Sequence, residues 1–330
     1  MQFRALGSQG LKVSAVGLGC MGMTGIYSRP ADQSRSIQTL QRAVDLGVTL
    51  FDTAEMYGPY ENERLVGETL KSVRNDIVIA TKFGVRINDN ATSNDQRSFD
   101  GRPETVIASC EASLKRLQTD WIDLYYQHRP DPDVPVEETI GALSDLVKAG
   151  KIRYIGLSEV DPETIRRAHN VHPLTAVQSE WSLWTRDVEE SVRPTLQELG
   201  IGFVCYSPMG RGFLSGKIKT LDDLPQDDWR RTNARFSEAN LKKNLELVDA
   251  VEEIASEKDA TPAQIALAWL LSKGPDVVPI PGTTRPERVE ENVGALDVFL
   301  STSDRDRLEA VFTQDAAAGE RYGQVRKTGS

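Results

Sequence analysis

The chain has 330 residues and a mass of 36.5 kDa, long for an average domain but ordinary for one α/β barrel. Hydrophobic residues make up 39% of it and charged residues 27%, enough for a sizeable core. A net charge of −10 excludes the basic stripe of a nucleic-acid surface, and no run reaches the roughly 18 apolar residues of a membrane helix.

At the start of the chain, Met1-Gln2-Phe3-Arg4-Ala5-Leu6-Gly7 lacks the apolar core of a signal peptide. The three cysteines, Cys20, Cys110 and Cys205, cannot all pair and form no CxxC motif, so a reduced, cytoplasmic setting is expected. Residues 3–13, two short runs around Gln9-Gly10, predict a β-hairpin plugging one end of a barrel. Apolar, β-branched runs then predict strands at 14–19, 49–54, 77–82, 122–128, 152–158, 175–180, 202–208 and 277–282.

Amphipathic segments separate these runs. Ile37, Leu40 and Val44 share a face that stops at Gly47; Ile140, Leu143 and Val147 stop at Gly150; Val192, Leu196 and Leu199 stop at Gly200. Thr261-Pro262 reads as a cap and first helical residue, opening a helix through Ile265, Ala268 and Trp269. Strands alternating with helices imply a parallel sheet, and eight such units predict an α/β fold, a (β/α)8 barrel over residues 1–330 as a single domain. After the seventh strand, residues 210 to about 240 are irregular, and a loop of that length is more often functional than idle.

In such barrels chemistry sits at the C-terminal ends of the strands. Asp52, Lys82 and His128 fall at three successive strand ends, with Tyr57 on the loop after the first of these three. Neighbouring strands run about 5 Å apart, so these side chains can converge. Taken singly, each is an ordinary packing or surface residue; their joint placement points to a redox site. A phenol protonates a carbonyl near neutral pH when a cation lowers its pKa of about 10. Lys82 can supply the cation, Asp52 can hold it charged, and His128 can orient the substrate oxygen.

Residues 280–292 end a strand, turn through small residues, and open a helix bearing Arg285 and Arg288 one turn apart, which suits a phosphate. Gly17-x-Gly19-x-x-Gly22 matches a dinucleotide fingerprint, but residues 23–30 read as loop and the helix begins only near Asp32. A Rossmann unit needs the helix directly after the glycines, so that reading is rejected. Besides His128 the only histidines are His169 and His172, and no HxH or Cys/His cluster suggests a metal.

In order and context, Asp52, Tyr57, Lys82 and His128 resemble the catalytic tetrad of the aldo-keto reductases, a likeness running from residue 17 to residue 292. Gly156-Leu157-Ser158-Glu159, Gln178-Ser179-Glu180-Trp181-Ser182-Leu183-Trp184 and Asn233-Ala234-Arg235-Phe236 resemble most closely the branch that includes the perakine reductases. The resemblance implies the barrel fold and hydride transfer from NADPH to a small-molecule aldehyde or ketone, with Tyr57 as general acid. It implies that Tyr206 stacks on the nicotinamide and that Ser158 and Gln178 hold its carboxamide, with Glu159 where better-known members carry Asn. Further cofactor contacts are implied for Gly22, Met23, Asp52, Ser207, Met209, Gly210 and Arg211, and for Gly282, Thr283 and Thr284. Arg285 and Arg288 are implied on the adenosine 2′-phosphate and Glu291 and Asn292 on the adenine, although Gly282 stands where many members have Lys.

Met23, Tyr27, Phe83, Trp181 and Trp229 are expected to line a pocket for an apolar or aromatic carbonyl compound. Two other roles fit the same residues: a cofactor-binding regulatory subunit, as potassium-channel β subunits of the family are, and an alcohol dehydrogenase acting on sugars or polyols. Oligomeric state is left open.

Overall fold

The computed structural model describes residues 1–25, 32–87 and 97–321. A hairpin comes first: β1 (Phe3–Leu6) pairs antiparallel with β2 (Leu11–Ser14), and the turn between them uses Gly7 and Gly10 at φ 74° and 91°. The barrel strands β3 (Leu18–Gly19), β4 (Leu50–Asp52) and β5 (Val78–Phe83) follow. A second hairpin, β6 (Val85–Ile87) with β7 (Arg97–Phe99), interrupts the series. The series resumes with β8 (Ile122–Gln127), β9 (Ile152–Ser158), β10 (Ala176–Glu180), β11 (Gly202–Tyr206) and β12 (Val277–Pro279).

All neighbouring barrel strands pair in parallel, in the order β3-β4-β5-β8-β9-β10-β11-β12. The sheet closes where Gly19 bridges Gly282 and where the amides of Gly17 and Gly19 donate to the carbonyls of Pro279 and Pro281 at 3.0 and 3.2 Å. A Cβ on Gly17 would lie 2.9 Å from Ile280 Cγ2, and one on Gly19 would lie 2.9 Å from the Ile280 carbonyl oxygen. The seam needs bare backbone, which explains these two glycines.

Two expectations change. The run at 14–19 is two elements, because Ser14 ends β2 and the first barrel strand is only Leu18–Gly19. Apolar residues continue across the break, so alternation alone could not mark it. The hairpin of β6 and β7 went unpredicted because three-residue strands carry too little periodicity.

Helices cover the strands: α1 (Gln33–Asp45), α2 (Glu61–Leu70), α3 (Pro103–Leu117), α4 (Val136–Lys148), α5 (Pro162–Val171) and α6 (Val192–Leu199). The long segment after β11 passes through short 3-10 turns into α7 (Glu238–Glu257), followed by α8 (Pro262–Leu271), α9 (Pro286–Gly294) and α10 (Thr302–Val311). Asp32 caps α1 by accepting from the Arg35 amide, and Thr261 forms a reciprocal capping box with Gln264. Among the described residues, no helix is long and apolar enough to cross a membrane.

Alternation along each strand sorts side chains into two cores. Leu50, Ala80, Leu124, Tyr126, Ala176, Val204 and Val278 face the barrel axis, joined from the hairpin by Leu6, Leu11 and Val13. The hairpin therefore stoppers the N-terminal end; at Gly202 a Cβ would fall 2.4 Å from Leu6 Cδ1. Phe51, Ile79, Phe83, Tyr125 and Phe203 face outward and pack beneath the helices. One step of two residues beyond the inward set come Asp52, Lys82, His128, Gln178 and Tyr206, so the polar side chains gather at the other end.

Arg4 ties the hairpin to the barrel, donating to the carbonyls of Leu271, Gly274 and Val277 at 2.9, 2.7 and 2.5 Å. Arg4→Met orphans these acceptors and should cost about 1–3 kcal/mol, read as a lower urea midpoint; an unchanged midpoint would refute the anchoring role.

Candidate active site

Strand register sets Asp52 of β4 beside Ala80 and Lys82 of β5 beside Tyr126 of β8. Lys82, 1% exposed, is ion-paired with Asp52, and its ammonium also donates to the Thr53 carbonyl at 2.8 Å and the Tyr57 hydroxyl at 3.5 Å. The second Asp52 oxygen accepts from Gln178 Nε2 at 2.7 Å. The His128 ring meets the Tyr57 ring edge-on, with centroids 5.9 Å apart. Asp52, Tyr57, Lys82 and His128 thus share one small volume at the barrel mouth.

Burial is the largest single influence on Lys82 and opposes its charge, but Asp52 and Tyr57 together outweigh it and hold the ammonium above the ordinary lysine value. For Tyr57 the balance falls the other way. Burial pushes the phenol up, and the pull of Lys82 only partly offsets it. Lys82 does pull the phenol down as expected, but burial is the larger effect and the net direction is upward.

Buried polar contacts hold the loop that carries Tyr57. Thr53 Oγ1 donates to Asn62 Oδ1 at 2.6 Å, and Asn62 Nδ2 donates to the Cys20 carbonyl and to Thr24 Oγ1, both at 2.9 Å. Glu55 Oε1 accepts from the Gly84 amide at 2.9 Å, while Glu63 accepts from Thr81 Oγ1 at 2.6 Å and pairs with Arg116 at 2.5 Å. The sequence reading missed Asn62, Glu63 and Arg116; the available signal was two polar residues on the otherwise buried face of α2. Non-glycine residues at positive φ also gather here: Tyr60, Glu159, Ser207 and Arg211, whereas Gln118 and Asp259 merely end helices. Such strained backbone persists where surrounding structure over-determines it.

Beyond the tetrad, buried Ser158 accepts from Arg129 Nη1 at 3.2 Å, and Tyr206 closes the inward face of β11 with its hydroxyl accepting from Arg321 Nη2 at 3.1 Å. Ser207, Met209 and Gly210 form the turn after β11, and Gly22 and Met23 a 3-10 turn after β3. Arg211 is buried against Glu180 at 3.2 Å. Glu159 accepts from the Glu180 amide at 3.0 Å and pairs with Arg321 at 2.7 Å. No motif marked Arg321, which lies 115 residues from Tyr206 in sequence.

Gly282, Thr283 and Thr284 lead from β12 to α9, and the Arg285 amide donates to Thr283 Oγ1 at 3.1 Å. Two of the three acids of α9 are paired outside the helix, Glu287 with Arg35 and Glu290 with Arg42, each at 2.8 Å, while Glu291 acts on Arg288 from a distance. Among the described residues, neither Arg285 nor Arg288 has an ion-pair partner within 4.0 Å. Burial and then the like charge of Arg285 push the Arg288 guanidinium below its ordinary value. Two arginines at a helix start, near Glu287 and Glu291 but without a direct ion pair among the described residues, suit an anion. Glu291 and buried Asn292 follow on the same helix.

The expected substrate liners separate. Phe83 and Trp181 each follow an inward residue and so point outward, Phe83 against Tyr125 at 4.9 Å and Trp181 stacked on Phe203 at 5.1 Å. Met23 is buried in the same layer beneath the helices, so these three are corrected from pocket to core. Trp229 remains half-buried against the Arg211 guanidinium, 5.1 Å from its ring centroid. Tyr27 lies outside the described residues.

Comparison with known proteins gives a consistent result. The model of the aldo/keto reductase family matches residues 15–312. A probable aldo-keto reductase of Glycine max is 50% identical over 319 residues, covering 96% of this chain and 91% of that protein. The glycerol dehydrogenase of Gluconobacter oxydans superposes with a TM-score of 0.85 at 28% identity, covering 95% of this chain and 96% of its own. An aldo-keto reductase from Bacillus halodurans, solved in its holo form, superposes with a TM-score of 0.76 at 28% identity over 98% and 99% of the two chains.

Asp52→Asn leaves a buried ammonium without its counter-charge and should cost about 3–5 kcal/mol in urea denaturation. Adding Lys82→Met should recover most of that loss; equal stability of Asp52→Asn and wild type would argue against a charged pair.

Proposed function

Because this chain belongs to the aldo/keto reductase family, we propose that it reduces small aldehydes or ketones with NADPH, using Tyr57 as the general acid. The observation that carries the reading is the buried Asp52–Lys82 pair reaching the Tyr57 hydroxyl beside His128. The surrounding residues suit the dinucleotide: an arginine pair without a direct ion pair among the described residues for the 2′-phosphate, buried Ser158 and Gln178 for the carboxamide, and Tyr206 for the ring. Gly22, Ser207, Met209, Gly210, Arg211, Gly282, Thr283, Thr284, Glu291 and Asn292 would complete its hold, while Met23, buried beneath the helices, would offer only its backbone. Bound there, the dinucleotide supplies the hydride.

The chain's own residues manage the proton and the charge. Tyr57 gives its phenolic proton to the substrate oxygen as negative charge builds there, and His128 holds the same oxygen by a hydrogen bond. Lys82 stabilises the phenolate, while Asp52 and Gln178 keep the ammonium aimed. Preorganised charge and proton donation of this kind lower a barrier by an amount on the order of several kcal/mol. Three segments, 156–159, 178–184 and 233–236, support placing the chain in the branch with the perakine reductases. The likeness to a glycerol dehydrogenase favours a second reading, oxidation of polyols, which comparison of forward and reverse rates would decide.

Tyr57→Phe should abolish carbonyl reduction while NADPH still binds; unchanged turnover would end the assignment. Arg285→Ala with Arg288→Ala should weaken NADPH about tenfold or more and NADH far less, as fluorescence titration would show; equal losses would remove the 2′-phosphate from this spot. Reduction needs the protonated phenol, and Tyr57 sits above the ordinary value. The rate at limiting substrate should therefore stay level through neutral pH and fall only in the alkaline range, as the phenol loses its proton. A fall centred near pH 7 would contradict the burial argument.

A further inference from the structure

Beyond α10 the chain returns across the barrel mouth. The Ala318 amide donates to Asn244 Oδ1 at 2.7 Å, and Asn244 Nδ2 donates back to the Ala318 carbonyl at 3.0 Å. Arg211 Nη1 and Asn233 Nδ2 hold the Arg321 carbonyl at 3.0 and 3.1 Å. The Arg321 guanidinium, so delivered, spans three consecutive strand ends. It meets Glu159 Oε2 at 2.7 Å, Glu180 Oε2 at 2.9 Å and the Tyr206 hydroxyl at 3.1 Å, with Asp187 at 3.4 Å on the rim.

The two inner carboxylates are not equally provided for. Glu180 also pairs with Arg211 at 3.2 Å and lies near Arg235. Glu159 feels the more distant Arg129, but among the described residues its only ion pair is to Arg321. Without Arg321, one carboxylate beside Tyr206 would lack a counter-charge in direct contact. An oxidised nicotinamide ring is cationic and a reduced one is neutral, so the charge at this point acts on one redox form and not the other.

We propose that Arg321 is a positioning residue that balances Glu159 and so sets the relative affinity of the site for oxidised and reduced nicotinamide. The inference rests on the reading that Tyr206 faces the nicotinamide.

The test is equilibrium titration of the full chain with NADPH and with NADP⁺. If wild type binds neither, the cofactor reading itself fails, and the variants are needed only once it binds. Arg321→Met should lower the ratio of the NADP⁺ to the NADPH dissociation constant by about fivefold to tenfold. Arg321→Lys should stay near the wild-type ratio, and Glu159→Gln added to Arg321→Met should restore it. Glu159→Gln alone should move the ratio the opposite way, which keeps the test open should Arg321→Met fail to fold. A ratio unchanged in every variant, or both constants rising by one factor, overturns the proposal.

Discussion

A buried ammonium survives at the mouth of this barrel because a carboxylate on the adjacent strand faces it. Lys82 and Asp52 are each almost wholly removed from water, and neither charge would be tolerable there alone. Their pairing needs β4 and β5 in one register, with both residues on the inward face. Register and parity in turn depend on barrel closure at the glycine seam and on the hairpin that fills the opposite end. The charge that equips the site is thus a consequence of how the sheet shuts.

The same burial divides labour among the four residues. It raises the tyrosine, against the pull of the neighbouring ammonium. It strengthens the interaction between Lys82 and any negative charge that forms on the phenol, since a low-dielectric site screens little. Asn62, Glu63 and Arg116 hold the loop from one layer out, while Gln178, in the same layer as Asp52, holds that carboxylate.

Much of this was legible in the linear chain. Alternation and helix stops located the eight barrel strands to within a few residues, because those signals are local and repeat at fixed periods. Asp52, Lys82 and His128 could be grouped because each ends an apolar run and strand ends in a parallel barrel point to one mouth, with Tyr57 on the loop after the first of them. The arginine pair before and within α9 was legible for a similar reason, as a charge pattern at a helix start.

Other features had no local trace. Phe83 and Trp181 look like pocket aromatics in sequence, but a side chain one residue from an inward position faces the helices. The direction of the Tyr57 shift is a contest between burial and a neighbouring charge, and burial is a property of the packed whole. Arg321 reaches Glu159, Glu180 and Tyr206 across more than a hundred residues of chain, which no spacing rule anticipates. The sequence by itself determined which residues fall near strand ends and what chemistry those residue types can support. Only the tertiary structure decided which aromatics leave the pocket, which way the phenol is shifted, and which distant cation enters, because each depends on contacts between segments far apart in the chain.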